Sequence, residues 1–485
     1  RFEHLEDNMK WKFEIHKDEG NILIMSVVIM SLLLATGMGY MKWASDEGWD
    51  SAYEEATVQA YFLAQQGIIE QGLKFLRGRE PGDLPSGTTI LGGRVIPDVG
   101  RYLDTKIVRV VSLGQGSVFQ RSDTYDIYST GEASFDNHAL GNRSYGEKNY
   151  VKRTATMRAR LRSFANYMYL TNFEKTRFNE VIWSWTPDTL YGRTHSNDFI
   201  GLKYSPQFYG PISSSQDRFL EFQANPYFEY EPQFNVPPVY FPSTANSVRN
   251  NATPWVPSQN GSKMTWIYFR GDQGIDIYQY PMGTPRADSL FQHLAVPAWQ
   301  AIFVDGDCEV QGQVTGQVTV GCSGNMWLID NIQYTGSDAR NGYFNHEGFP
   351  HMLGLVSEGN IIVKDNIVNG KQNGWGNGGG ANNRHSININ AGMVALGESF
   401  TFEHMNDDWE LYQGPEPDER GYINLKGAVT QWRRGYVHRS NHQGTGYGKA
   451  YNYDFRFDRR PPPYYLEATD ENGHGLFDVV SWGEQ

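Results

Sequence analysis

Cysteine is nearly absent: Cys308 and Cys322 are the only two in 485 residues. That is too few for a disulfide framework or for a zinc site made of cysteines. Positive charge is also scarce. Lys and Arg number 42 against 55 Asp and Glu, a formal net charge of −13. With no basic stripe or Lys/Arg cluster, nucleic acid is excluded as an expected partner. Hydrophobic residues at 39% and charged residues at 20% fit neither a disordered chain nor a polytopic membrane protein. Aromatic side chains and glycine are what the chain has in quantity. There are 29 Tyr, 13 Trp and 52 Gly, a composition suited to β-structure with many turns. The length allows two or three domains with substantial cores.

From Asn21 to Met41 no residue is charged, and 22–38 is almost continuously apolar. That is about 20 residues, the length needed to cross ~30 Å of hydrocarbon as a helix. Lys10, Lys12 and Lys17 precede it, and Asp46, Glu47 and Asp50 follow. The lysine bias places the N-terminus in the cytoplasm and everything after residue 45 outside. A cleaved secretory signal is the alternative, with Ala35 and Gly37 imitating its cleavage site. Beyond the apolar run, 52–79 reads as an amphipathic helix, with Ala56, Ala60, Leu63, Ala64, Gly67, Ile68 and Leu76 mostly three or four apart. Pro81 and Gly82 end it. A helix over 21–79 would span about 87 Å, longer than a bilayer requires. Such a helix makes sense if its outer half docks on a globular domain and its inner half packs against other subunits. The expected assembly contacts are Ile22, Leu23, Met25, Val28, Leu32 and Leu33 on the inner half, with Ala60, Leu63, Ala64 and Gly67 further out.

Lys17-Asp18-Glu19-Gly20 followed by Asn21-Ile22-Leu23-Ile24-Met25-Ser26 resembles a prepilin peptidase site, with cleavage between Gly20 and Asn21. The run Gln59-Ala60-Tyr61-Phe62-Leu63-Ala64-Gln65-Gln66-Gly67-Ile68 resembles the QAFYLAEAGIE signature of PilX-type pilus-assembly proteins. The resemblance implies a type IV pilin-like chain, with prepilin peptidase, the pilus assembly machinery and other pilins or copies of itself as partners. Major pilins carry Glu as the fifth mature residue, where Met25 stands here. That departure favours an accessory or tip role. Met9 would open a compact leader ending at Gly20, so 1–8 is expected to be upstream sequence; the intact mass of the native product tests this.

After the helix, 106–113, 124–130 and 151–161 alternate polar and apolar residues between Gly, Asn and Asp turns. They are expected to form a small antiparallel head over 80–165. The strongest pattern lies further on. From 302 to 328 every even-numbered residue is Ile, Val, Cys, Met, Leu or Gly, whereas Asp305, Asp307, Glu309, Gln311 and Gln313 stand among the odd ones. An ordinary strand has about 5–6 residues, so the chain must turn while keeping its inside–outside parity. A β-solenoid whose coils stack and bury one face does this; a meander of hairpins is the alternative. Similar strands recur at 353–363, 387–397 and 422–429, with a Gly-Asn-rich loop over 370–383.

Short segments in order also resemble a large uncharacterised β-domain appended to PilX-type helices. They include Phe164 to Asn172, Tyr191 to Asn197 (G-x-x-H-T-N, with Ser196 for Thr), Pro206 to Gly210 (P-x-F-x-G) and Ala301 to Asp307 (IFVDGD). The matches continue through Gly446 to Asp454, Pro461 to Tyr465 and Val480 to Trp482. The likeness implies architecture over 166–485 and no particular chemistry.

Asp305, Asp307 and Glu309 sit two apart and project from one strand face, where they are candidates for carboxylate chemistry or, for Asp305 and Asp307, a metal. Alternation alone also places polar residues there, and the structural reading is preferred. His195, in an apparent turn, is expected to fix the loop through hydrogen bonds rather than act as a base. Asp470, Glu471 and Asn472 lack calcium-loop spacing. Cys308 and Cys322 share the inward parity and are a candidate disulfide, with two buried thiols as the alternative.

The fold class expected is therefore α+β: a leader over 1–20, a pilin-like transmembrane helix over 21–79, the head over 80–165, and a large all-β domain over 166–485. No cofactor is called for. The function expected is a structural or accessory subunit of a type IV pilus-like filament, made at the inner membrane and displayed at the cell surface. Surface glycans are a further candidate partner. The competing readings are a membrane-tethered β-helix enzyme acting on polysaccharide and an anchored surface protein that never polymerises.

Overall fold

The structure is a computed structural model that describes residues 21–110, 124–136, 148–186, 188–286, 289–345, 348–370, 385–405, 418–439 and 444–484. The leader with its Gly20 cleavage site, the end of the expected 106–113 strand and the Gly-Asn-rich loop beyond Gly370 lie outside the described residues. A long N-terminal helix is followed by a body made almost wholly of strands. The helix is α-helical over Asn21–Gly67, π-helical over Ile68–Leu73 and α-helical again over Lys74–Arg77. It ends at Gly78, just ahead of Pro81, where a ring without an N–H cannot extend it.

The outer half of the helix lies on an antiparallel sheet. Thr88–Leu91, Thr105–Arg109, Thr124–Asp136 and Lys148–Leu161 pair in that order. Gly100–Tyr102 runs against the far half of Thr124–Asp136 and carries Arg94–Ile96. Ala64, Ile68, Leu73 and Leu76 pack on Ile107, Tyr125, Ile127 and Met157. The seventh strand comes from the other end of the chain: Phe477–Glu484 pairs with Lys148–Leu161. Sequence alone assigns that strand to 166–485, because nothing local marks its distant partner. Arg162 and Arg193 both bind Asp478 there, at 2.5 and 3.2 Å, tying the first sheet to the larger β body.

In the larger body most strands pair parallel. Ala252–Pro257, Gln300–Asp305, Gln317–Cys322, Met352–Ser357, Gly392–Ala395 and Asp418–Arg433 follow one another in a single ladder. A second ladder runs through Lys263–Arg270, Cys308–Val314 and Met326–Tyr334. From there it continues to Ile361–Val363 and Phe400–Phe402. Within the alternating segment Ile302 stands opposite Val320 and Cys308 opposite Met326. These are parallel partners, not the antiparallel partners of hairpins. Even-numbered Val304, Cys308, Val310, Val314, Val318, Val320 and Cys322 are all buried in one core, as parity predicts.

The first ladder is assembled out of chain order. Tyr169–Phe173 enters first and takes Thr194–Ser196 and then Ile212–Ser214 on one side. Its other side is filled by Asp418–Arg433, with Val429 opposite Tyr169. Between 183 and 228 the strands have only two or three residues, forming two further parallel ladders, Trp183–Trp185 with Gly201–Lys203 and Leu220–Phe222, and Thr189–Leu190 with Gln207–Phe208 and Tyr227–Phe228.

Parallel stacking superimposes the turns, and polar side chains bind the turns together. Asp307 Oδ1 accepts from the Asn325 N–H at 2.7 Å, Asn325 Oδ1 from the Asn360 N–H at 3.0 Å, and Asn360 Oδ1 from the Ser399 N–H at 3.0 Å. Removing one rung strands a backbone donor, and such a loss costs about 1–3 kcal/mol. Asn360→Ala is therefore expected to lower the unfolding free energy by that amount, measured by urea denaturation.

Candidate functional site

The first candidate surface is the inner half of the long helix. It is the one described helix long and apolar enough to cross a membrane. Ile22, Leu23, Met25, Val28, Leu32 and Leu33 are all exposed, Leu32 by 61% and Leu33 by 65%. Its few hydroxyls do not seek external partners. Ser26 donates to the Leu23 carbonyl at 2.8 Å, Ser31 to Val27 at 2.7 Å and Thr36 to Leu32 at 2.9 Å. Each of these hydroxyls is thus satisfied within the helix, as a hydrocarbon environment requires. Docking begins further along, where Trp49 and Tyr53 meet Phe135 edge-on at 5.8 and 5.9 Å.

Ala60, Leu63, Ala64 and Gly67 have the opposite fate and are buried against the sheet. Two glycines permit that approach. A methyl group on Gly67 would fall on the Ser129 hydroxyl, and one on Gly131 would fall on the Ala60 carbonyl oxygen. Gly67 thus has a packing reason for its place in the helix. The expected assembly set is divided by the structure: its first six residues are outward and free, its last four serve the head. Asn21 begins the helix.

The three acidic residues of the alternating strand do not converge on one site. Asp305 is exposed and accepts from the Ser323 hydroxyl at 3.1 Å, while Asp307 holds the Asn325 turn. Glu309 is buried, taking the Tyr280 hydroxyl at 2.7 Å and Arg286 at 3.1 Å. Parity puts it on the outer face, but Tyr280 from Ile275–Pro281, which pairs antiparallel with Lys263–Arg270, and Arg286 just beyond that strand cover it. The outer face is therefore not solvated throughout. Cys308 and Cys322 are buried thiols, not a disulfide. Burial, followed by the neighbouring Cys322 thiol, raises Cys308 well above the usual thiol range. Asp470 accepts from the Asn472 and His474 N–H groups, both at 2.9 Å, which makes it a turn brace.

His195 sits on a strand between two parallel neighbours, 1% exposed, with Nδ1 2.8 Å from Ser213 Oγ and Nε2 3.1 Å from Asn197 Oδ1. Asn197 in turn donates to Asn172 and to the Val239 carbonyl. Burial lowers the His195 pKa to about 4, with Arg162 and Arg193 acting in the same direction against the Asn197 bond. In the unfolded chain it titrates near 6.5. The folded state thus binds fewer protons between those values, and its stability is full above about pH 6.5 and falls as pH drops toward 4. A loss of up to about 3 kcal/mol across that window is expected from denaturation at stepped pH, and His195→Gln should flatten it.

A cavity lies at the seam where Tyr169–Phe173 meets Asp418–Arg433, and nothing in the local sequence announces it. It has a volume of about 620 Å³. Glu174 and Arg434 pair at 2.6 Å with both side chains buried, and Lys449 reaches Asp188 at 2.9 Å. Burial works against the Arg434 charge, yet Glu174 and Tyr169 hold the guanidinium above its ordinary value. Burial also pushes the Lys449 ammonium down, with Asp188 opposing. His438 lies 2.9 Å from Glu419, and Tyr436 Oη 3.3 Å from Glu180. Trp183, Trp185 and Tyr422 add aromatic surface. Apart from His438 and Glu419, the partners are more than two hundred residues apart in the chain, so no motif spacing could have revealed them.

No family model matches the chain, and no curated protein does. Among solved structures, the competence-associated pilin ComZ from Thermus thermophilus aligns over 88% of this chain and 97% of that one. The identity is 13% and the TM-score 0.30. A superposition that slight carries no functional weight.

Proposed function

We propose that the chain is a structural or accessory subunit of a type IV pilus-like surface filament, which displays its β body for subunit contacts or adhesion. The observation that carries this is the division of one helix. Its first half is uncharged over 21–41, almost wholly apolar and exposed, with its Ser and Thr hydroxyls bonded within the helix, while its second half is locked to the sheet. A helix used only as an anchor would need about 20 residues; this one continues as a rigid rod into the head. Apolar faces of that kind are buried by lipid before assembly and by sister helices after it. We read the parallel ladders as coils of a β-solenoid mounted on the head, and the sequence resemblance at 59–68 supports a PilX-type reading. Processing at Gly20 by prepilin peptidase, handling by the assembly machinery and a minor or tip position belong to the same reading, in which the chain is not an enzyme.

Shearing tests it. Filaments stripped from the cell surface should contain the protein with Asn21 as its first residue. Recovery wholly in the membrane fraction, with none in sheared filaments, would favour an anchored protein that never polymerises.

A further inference from the structure

We propose that the cavity at the ladder seam binds a neutral oligosaccharide. Its volume, about 620 Å³, lies within the range of roughly 300–1,000 Å³ typical of small-molecule sites. Two charge pairs in it neutralise each other, Glu174 with Arg434 and Asp188 with Lys449, and the rest of the lining mixes signs, Glu180 and Glu419 with Lys203, Arg420 and Arg439. A carboxylate or phosphate ligand would face those acids together with Glu180 and Glu419, and a cationic ligand would face Arg434 and Lys449 together with Lys203, Arg420 and Arg439. Either would have to displace a partner from a low-dielectric site, which is costly. A polyol needs no such displacement. Its hydroxyls donate to the spare carboxylate lone pairs and accept from the spare ammonium and guanidinium hydrogens.

The walls suit the apolar faces of sugar rings. Trp183 and Trp185 are two apart on one strand and so share a face; both border the cavity and both are partly exposed. Ser184 between them is buried and accepts from Arg434 at 3.1 Å, which fixes the strand against the charged floor. Tyr422, 57% exposed, stands at the rim. The inference deepens the adhesion part of the filament reading, while its chemistry depends on the seam alone.

The test uses the full chain in detergent, titrated with maltotriose, cellotriose and triacetylchitotriose, with trigalacturonate as an anionic control. Tryptophan fluorescence and calorimetry are the readouts. At least one neutral trisaccharide should saturate a single site. Trp185→Ala and Asp188→Asn should each weaken it by at least about tenfold, with thermal unfolding of Trp185→Ala unchanged. Should Asp188→Asn fail to fold, Trp185→Ala decides alone. Absence of saturable binding by all three sugars, binding indifferent to Trp185→Ala, or tighter binding of trigalacturonate overturns the proposal. Failure here with the protein still present in sheared filaments removes only this site; sugar binding by a protein absent from filaments removes only the assembly reading.

Discussion

Arg434→Met is expected to destabilise the β body by about 3–5 kcal/mol, because it leaves Glu174 buried without its counter-charge. Glu174 is 2% exposed. Besides Arg434, its carboxylate is held by Thr171 Oγ, donating at 2.5 Å. Arg434 also bonds Ser184 and the Trp183 carbonyl, so its loss loosens the contact between segments far apart in the chain. Gln431 makes a parallel link, donating to the Tyr169 hydroxyl at 2.7 Å while accepting from the Phe400 N–H at 2.9 Å. The comparison that separates charge from packing is Arg434→Met combined with Glu174→Leu. Removing both charges should recover most of the loss, since a buried pair replaced by apolar groups is often neutral. Urea denaturation followed by tryptophan fluorescence measures both; equal losses in the single and double variants would show that the seam depends on shape alone.

The second large effect is expected at Gly131. Valine there should cost at least about 3 kcal/mol, at or above the upper end of ordinary overpacking, because its Cβ would meet a backbone oxygen that has nowhere to move. The Ala60 carbonyl belongs to the long helix, and helix and strand are each fixed by their own hydrogen bonds. The consequence is local: the helix beyond Trp49 lifts from the sheet and becomes open to protease, while the parallel ladders stay folded. Limited proteolysis read by mass spectrometry should show new cuts between 50 and 79. Gly87→Ala, at a glycine with open space around it, should show none.

The sequence makes the helix legible because length, apolarity and the stop at Pro81 are all local properties. The inward parity of 302–328 is legible for the same reason, since side-chain alternation is written into every pair of neighbours. Parity does not say what covers the other face. Glu309 looks solvated until Tyr280 and Arg286 arrive from an antiparallel hairpin. Strand partners are harder still. Trp183–Trp185 and Thr189–Leu190 are too short to show any period, and they exist only because parallel neighbours stack on them. The pairing of Val429 with Tyr169, and of Phe477–Glu484 with Lys148–Leu161, joins segments hundreds of residues apart. The cavity and its ion pairs follow from those pairings, so sequence reasoning passed over Glu174, Asp188, Arg434 and Lys449.

The helix contact itself can be tested most directly by cross-linking. Val28→Cys and Leu32→Cys place thiols on the exposed apolar half, and native Cys308 and Cys322 are buried and do not compete. In cells expressing either variant, mild oxidation should link copies of the chain to each other or to another pilin carrying a matching cysteine, and the linked species should sediment with sheared filaments. Uncross-linked monomers, soluble without detergent and missing residues 21–41, would contradict the account.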